Sequence, residues 1–152
     1  MNHVVHFLEK QDEFDRIMGQ ISNASWVGFD TEFVGEKTYV PVLCLLQVIA
    51  GNDIYLVDTL AISDLSAFLK IVVDPKVLKI THAGDNDYRL LYTLFGTVPS
   101  NTFDTQIAAG TGKDRRVDAH QIAGAIDQRS TGIPRVDRRI GLDGIDEGGV
   151  RG

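Results

Sequence analysis

The stretch Trp26-Val27-Gly28-Phe29-Asp30-Thr31-Glu32-Phe33-Val34 decides how the rest of the chain is interpreted. Residues two apart in a strand point to the same face, so Asp30 and Glu32 project side by side from an otherwise apolar segment. Two like charges this close on a buried strand are costly unless a cation lies between them. Hard divalent cations prefer carboxylate oxygens, so the stretch predicts a metal site. The alternative is a carboxylate pair at a strand end that points into solvent.

A second carboxylate site is predicted where a strand ends near Thr81, a glycine-containing turn follows, and a helix begins near Asp85. Asp85 is explained as a capping residue at the helix N-terminus. Asp87 shares a helical face with the leucines three, four and seven positions later, so it lies on the apolar stripe and needs a partner. We therefore favour a functional role for Asp87 over a satisfied carboxylate in the first turn.

Three further polar residues are candidates with two interpretations each. His82 precedes the turn and is taken first as a hydrogen-bonded structural residue. Gln47, inside an apolar strand, is paired either to backbone or to an active-site group. Asp104 is either a helix cap or an acid that supports the metal ligands from behind.

The pattern along residues 1–110 predicts a mixed α/β domain with helices packed on a sheet. Strands are expected in the Asp30 segment, at 43–49, at 54–57 and at 77–80, with a further strand or helix from Thr102. Helices are expected at 11–21, at 63–73 with an N-cap at Ser63 or Asp64, and at 85–95 ended by Gly96. Lys76, Lys79 and Arg89 are weighed as phosphate contacts against ordinary solvated surface charges.

Residues 111–152 have a different composition, with no aromatic residue and eight of the 15 glycines. A segment this poor in large apolar groups does not offset its ordering entropy, so disorder is predicted there. The domain division is therefore 1–110 and 111–152.

Net charge, apolar run length and cysteine content limit the classes of protein to which the chain can belong. The formal net charge of −6 provides no global basic field for nucleic acid or an anionic membrane, although bound cations reverse charge locally. No signal peptide is recognised, and the apolar run Val40–Ala50 is too short to cross a bilayer. The single cysteine, Cys44, fits a reducing, cytoplasmic environment.

Two stretches of the chain carry a resemblance to a known family: Asp30-Thr31-Glu32 and His82-Ala83-Gly84-Asp85-Asn86-Asp87. Together they resemble the 3′→5′ exonucleases with four essential acids, and within that group the ribonuclease D family. The resemblance includes Tyr39-Val40-Pro41, Leu43 to Gln47, Tyr55 to Asp58 and Phe103 to Ala109, in the family's order. It covers about residues 1–110.

The resemblance implies a ribonuclease-H-like fold, a mixed sheet flanked by helices, truncated here at its C-terminal end. It implies removal of nucleotides from nucleic-acid 3′ ends, with RNA favoured over DNA and transfer RNA precursors as the typical substrate. Asp30, Glu32 and Asp87 become catalytic metal ligands for two Mg²⁺ or Mn²⁺ ions. Thr31, Phe33 and His82 become nucleic-acid contacts, with core packing as the alternative for Phe33, and Asp104 supports the ligands.

The chain departs from the family in its last third. The family's third motif, a tyrosine followed four positions later by an aspartate, has no counterpart, since no tyrosine follows Tyr92. Either the reading frame shifts near codon 110 or the C-terminus is divergent, and the gene sequence distinguishes the two. An impaired module that binds nucleic acid or a partner without cleaving, or a truncation product, is the alternative function. A domain without its late helices is also expected to be of low stability or to dimerise through exposed core.

Overall fold

The structure, a computed structural model, describes residues 4–35, 40–111 and 116–117. The elements in chain order are β1 (Val4–Leu8), α1 (Gln11–Ile21), β2 (Trp26–Val34), β3 (Val42–Ala50), β4 (Asp53–Asp58), α2 (Ser66–Val73), β5 (Leu78–Thr81), α3 (Asp85–Phe95), β6 (Thr102–Asp104), α4 (Thr105–Thr111) and β7 (Arg116–Val117). The predicted disorder of the tail falls almost wholly outside the described residues. The division at residue 110 and the shifted frame therefore stay predictions.

The strands form one seven-stranded mixed sheet in the order β1-β4-β3-β2-β5-β6-β7. β2, β3 and β4 make an antiparallel meander. β5 pairs in parallel with β2 and with β6, and β1 pairs in parallel with β4. The predicted mixed sheet flanked by helices is therefore confirmed.

The core lies between one face of this sheet and helices α1, α2 and α3. Alternation along β2 turns Val27, Phe29 and Thr31 toward the core and Asp30 and Glu32 away from it. Phe29 meets Phe68 of α2 edge to face, with ring centroids 5.5 Å apart. Gly28 faces away from this core and packs against β3, where an added Cβ would lie 2.5 Å from Ile49 Cγ2. Any larger residue there would have to displace the Ile49 side chain.

Helix bounds agree with the sequence pattern where the apolar spacing is long and regular. α1 and α3 occupy the predicted ranges, and α3 ends at Gly96, whose φ of 64° is left-handed. α2 begins at Ser66 instead of Ser63, because Asp64 forms a turn in which its carboxylate accepts the Ser66 N–H at 2.8 Å. β1 was not predicted.

Among the described residues, no helix has both the length and the apolar character needed to traverse a bilayer. Most of the apolar run Val40–Ala50 forms strand β3.

Lys79 is neither a phosphate contact nor a solvated surface charge, the two interpretations drawn from the sequence, because its side chain is fully buried. Its ammonium donates to the carbonyl oxygens of Asp74 at 2.5 Å and Val77 at 2.7 Å. Burial lowers the pKa of Lys79 to about 8, although the nearby Asp74 carboxylate acts in the opposite direction. Lys79 therefore stabilises the loop before β5 and has no access to phosphate.

Stability is expected to rise with pH between pH 8 and 9.5 because of Lys79. The unfolded chain binds the Lys79 proton throughout this range, with a pKa near 10.5, whereas the folded chain loses it above about pH 8. The free energy of unfolding should therefore increase by about 1.5 kcal/mol over this interval. Urea denaturation at several pH values measures it. The Lys79→Met protein should lack this increase, and an equal slope in both proteins would contradict the assignment.

Candidate active site

The carboxylates of β2 lie where this strand extends beyond its neighbour β5. β2 pairs with β5 only from Trp26 to Gly28, but its pairing with β3 continues to Val34. Asp30 and Glu32 both lie on this extension and are exposed. The expectation that they sit on a buried strand is wrong for their face of β2, because it points away from the core that buries Phe29 and Thr31. The two side chains do share one face of the strand, as the alternation predicts.

Asp87 approaches this extension from helix α3 and is buried, with 6% of its surface exposed. Its Oδ1 accepts a hydrogen bond from the Thr31 backbone N–H at 3.0 Å and another from the Thr31 hydroxyl. The predicted burial of Asp87 on the apolar stripe is thus confirmed, and its partner is the residue between the two β2 carboxylates.

The charge of Asp30 affects the protonation of Asp87. Burial raises the pKa of Asp87, and the Asp30 carboxylate raises it further, while the hydrogen bonds from Thr31 act in the opposite direction. The charge of Asp30 therefore acts on Asp87, and a cation bound at these acids would offset this effect.

Gln47 is the polar partner of Asp30 across the β2–β3 ladder. The two residues are directly paired in the register, and the Gln47 side-chain amide donates to Asp30 Oδ2 at 3.3 Å. Of the two interpretations left open for Gln47, the side chain is thus paired to the candidate ligand Asp30 and not, within the described residues, to backbone.

Asp104 holds together the turn that positions α3. Its carboxylate is buried and accepts from the backbone N–H of Ala83 at 3.1 Å and of Gly84 at 2.8 Å. It also accepts from Gln106 and Ile107 at the start of α4, so the helix-cap interpretation is observed. Burial acts to raise the pKa of Asp104, but these four backbone donors outweigh it and hold the pKa below its usual value.

The turn itself is tightly packed and strained. Ala83 adopts a left-handed φ of 56°, which is unusual for a residue with a Cβ. A Cβ on Gly84 would lie 2.6 Å from Thr81 Oγ1 and 2.9 Å from Tyr88 Cζ. This close approach explains why glycine precedes α3. Asp85, expected as the cap, makes no capping hydrogen bond to the residues that the structure describes; it is exposed and paired with Arg89 at 3.0 Å.

The three predicted nucleic-acid contacts have different surroundings. His82 is exposed, and its Nδ1 lies 2.8 Å from the hydroxyl of Thr105, a neighbour that the sequence did not single out. Both border a cavity of about 490 Å³ that includes Asp30 and Gln47 and has Ile49, Ile54 and Ile80 in its wall. Phe33 is 40% exposed, which excludes plain core packing, whereas the Thr31 side chain is buried against Asp87.

The donor chemistry of the site suits a hard divalent cation, because all three predicted ligands are carboxylates. Within the part of the chain that the structure describes, however, no group of three or more His, Cys, Asp or Glu side chains is close enough to hold a metal. Asp30 and Asp87 interact, and the exposed Glu32 shares the Asp30 face of β2.

Comparison with known proteins shows the family to which the chain belongs. A family model described as 3′-5′ exonuclease matches residues 5–121, so the chain belongs to the 3′-5′ exonuclease family. Within that family the curated relatives are ribonucleases D. The chain is 38% identical over 99 residues to ribonuclease D of Gluconacetobacter diazotrophicus and 41% identical over 83 residues to that of Escherichia coli.

These alignments cover 64% and 55% of this chain but only 25% and 22% of the two relatives. The chain thus spans about a quarter of the length of the curated ribonucleases D that it matches. The family model extends to residue 121, beyond the border at 110 expected from the sequence.

Solved structures agree on the ribonuclease-H-like fold. The crystal structure of Escherichia coli RNase D, an exoribonuclease involved in structured RNA processing, superposes with a TM-score of 0.64 at 26% identity, covering 84% of this chain and 41% of that one. Trypanosoma brucei RNase D in complex with RNA U12 superposes with a TM-score of 0.62 at 14% identity, covering 69% and 38%. The second likeness shows the fold alone.

Proposed function

We propose that this protein is a metal-dependent 3′→5′ exonuclease that hydrolyses the last phosphodiester bond at a nucleic-acid 3′ end. The observation that carries the proposal is the pair of hydrogen bonds by which Thr31, the residue between Asp30 and Glu32, holds the buried Asp87 carboxylate. A binding surface has no need of a buried acid fixed beside a strand that carries two more, whereas cation-assisted phosphodiester hydrolysis does. Membership of the 3′-5′ exonuclease family supports the same activity.

Each residue of the site has a defined task in this proposal. Thr31 fixes the Asp87 carboxylate with two hydrogen bonds, and Gln47 orients Asp30 from the next strand. Asp30, Glu32 and Asp87 would hold Mg²⁺ or Mn²⁺. Two such ions supply activation of a water and stabilisation of the leaving 3′-oxygen. Phe33 and His82 flank these acids and are proposed to contact the terminal nucleotide, and Asp104 keeps the α3 turn in place.

RNA is the proposed substrate class, with transfer RNA precursors as the natural example. The similarity to ribonucleases D supports RNA over DNA, and one neighbour of the same fold was crystallised with an RNA oligonucleotide. A cytoplasmic location fits this substrate and the single cysteine.

A module that binds nucleic acid without cleaving it is the second candidate. It is favoured by the absence, within the described residues, of a third acidic side chain close to Asp30 and Asp87. Loss of one ligand from a two-metal site compromises the charge and position of an ion and lowers the rate by orders of magnitude.

A degradation assay on 5′-labelled single-stranded RNA and DNA oligonucleotides separates the two candidates. It is run with Mn²⁺, with Mg²⁺ and with chelator, beside the Asp30→Ala protein. Stepwise shortening from the 3′ end that requires both metal and Asp30 supports the exonuclease. Binding without shortening by a folded protein supports the module, and full activity of Asp30→Ala would overturn the assignment.

Self-association through exposed apolar surface is a further expectation. β1 is an edge strand of the sheet, and Val4, Val5 and Phe7 are each more than half exposed. An open apolar edge of this kind pairs readily with a second chain. We expect a concentration-dependent dimer in analytical ultracentrifugation and a shift toward monomer in Phe7→Lys. A wild-type protein that stays monomeric at high concentration would contradict this.

A further inference from the structure

Two adjacent side chains in the first turn of α3 bond to two different strands. Asp87 accepts two hydrogen bonds from Thr31 of β2. The hydroxyl of Tyr88 lies 2.5 Å from that of Thr81, the last residue of β5. Both helix side chains are buried, with 6% and 5% of their surface exposed. The Tyr88 backbone N–H also donates to the carbonyl oxygen of Gly84 at 2.9 Å, so both contacts belong to the turn that begins α3.

The two contacts bridge β2 and β5 where the pairing of these strands has ended. The ladder between them runs only to Gly28 and Ile80, so Thr31 and Thr81 both lie beyond it. Consecutive residues of a helix point about 100° apart around its axis. One hydrogen-bonded side chain on each strand therefore fixes the rotation of the first turn of α3, whereas a single one would leave the turn free to pivot.

We propose that Tyr88 is a positioning residue for the exonuclease reaction, because its hydroxyl, held by Thr81, sets the rotation of this turn and with it the place of the Asp87 carboxylate. The inference rests on the proposed exonuclease function, in which Asp87 is a metal ligand. A side-chain carboxylate lies about 5 Å from the helix axis, so a rotation of about 10° would move it by about 1 Å. A misplacement of this size in a catalytic site lowers the rate on the order of 10²-fold.

The hydroxyl of Tyr88 can be separated from the packing of its ring. The ring centroid lies 6.4 Å from that of Phe29, a contact that phenylalanine at position 88 would keep. Burial raises the pKa of Tyr88, while hydrogen bonds with Thr81 and Thr102 act in the opposite direction. The phenol therefore keeps its proton at neutral pH, and Tyr88→Phe removes a neutral hydrogen-bonding group and little else.

The test uses the full chain and a matched control at a second buried tyrosine. Tyr55 is 6% exposed and lies on β4, where its ring stacks on His6 with centroids 5.1 Å apart. The proteins compared are wild type, Tyr88→Phe, Thr81→Val, the double variant and Tyr55→Phe. Single-turnover shortening of 5′-labelled RNA with Mn²⁺ gives the rate and the half-saturating RNA concentration. NMR of the metal-free proteins follows the amide resonance of Thr31, and thermal unfolding follows stability.

We expect Tyr88→Phe to lower the rate by about 10- to 100-fold, to leave the half-saturating RNA concentration within twofold and to move the Thr31 resonance. Thr81→Val should have the same effects, and the double variant should lose no more than either single variant, because both remove one interaction. Tyr55→Phe should change neither the rate nor the Thr31 resonance, even if it lowers stability.

A rate within twofold of wild type, or an unmoved Thr31 resonance, in Tyr88→Phe would overturn the inference. Additive losses in the double variant would also overturn it, as would equal losses in Tyr88→Phe and Tyr55→Phe that follow stability. A folded wild type that shortens no oligonucleotide would instead overturn the proposed function. The Thr31 resonance would then still decide whether Tyr88 sets the position of Asp87.

Discussion

Replacing Asp87 by asparagine is expected to lower the rate of 3′-end shortening by on the order of 10³-fold while leaving the protein folded. The amide oxygen of asparagine can still accept the two hydrogen bonds from Thr31, so the contact between α3 and β2 is retained. The substitution removes only the negative charge, which burial and Asp30 already disfavour in the free protein. Single-turnover degradation of a labelled oligonucleotide measures the rate, and thermal unfolding measures the fold.

The matched control for this substitution is Asp85→Asn, on the same helix two residues earlier. Asp85 is exposed and paired only with Arg89 among the described residues, so its loss should change the rate by less than about threefold. An equal loss of rate in both variants would show that the rate depends on the first turn of α3 as a whole and not on the Asp87 charge. Normal activity of Asp87→Asn would remove Asp87 from the catalytic set.

Asp104→Ala is expected to lower the free energy of unfolding by about 3 kcal/mol, because four backbone N–H groups lose a shared charged acceptor. Those donors belong to the turn before α3 and the first turn of α4, so both elements are loosened. Activity should fall with stability, since the turn fixes where Asp87 begins its helix. Urea unfolding of wild type, Asp104→Ala and Asp104→Asn measures the effect.

The acid range provides an independent check on Asp104. Its folded pKa lies below the usual 3.8, so its contribution is present above that pH and is lost as the pH falls through the folded pKa. Wild type should therefore lose stability more steeply than Asp104→Asn between pH 5 and pH 3. Asparagine retains one acceptor oxygen and should be intermediate in stability at neutral pH. An alanine variant as stable as wild type would show that solvent replaces the carboxylate.

Local periodicity was sufficient to predict the elements in which a regular apolar pattern runs over many residues. α1 and α3 bury their leucine, isoleucine, methionine and phenylalanine stripes as their sequences indicate. β1 could not be predicted in this way. It has only five residues, and its parallel partner β4 lies far along the chain, so no local alternation or turn signal marks it.

The burial of Asp87 was predictable from the apolar stripe of α3, whereas the exposure of Asp30 and Glu32 was not. The apolar residues around these two acids indicate a buried strand, and only the fold shows that their face of β2 points away from the core. Lys79 was misinterpreted for a related reason. Its burial depends on two carbonyl groups of a loop that only the fold brings over its ammonium.

The parallel pairing of β2 with β5 has a consequence for the order of folding. The β2–β3–β4 meander joins neighbouring segments, whereas Thr31 and Asp87 are 56 residues apart in sequence. Contacts with short loops form first because closing them costs less chain entropy. We therefore expect a nascent chain to carry Asp30 and Glu32 on a formed hairpin while Asp87 is still absent. The candidate active site would then be among the last parts of the domain to assemble during synthesis.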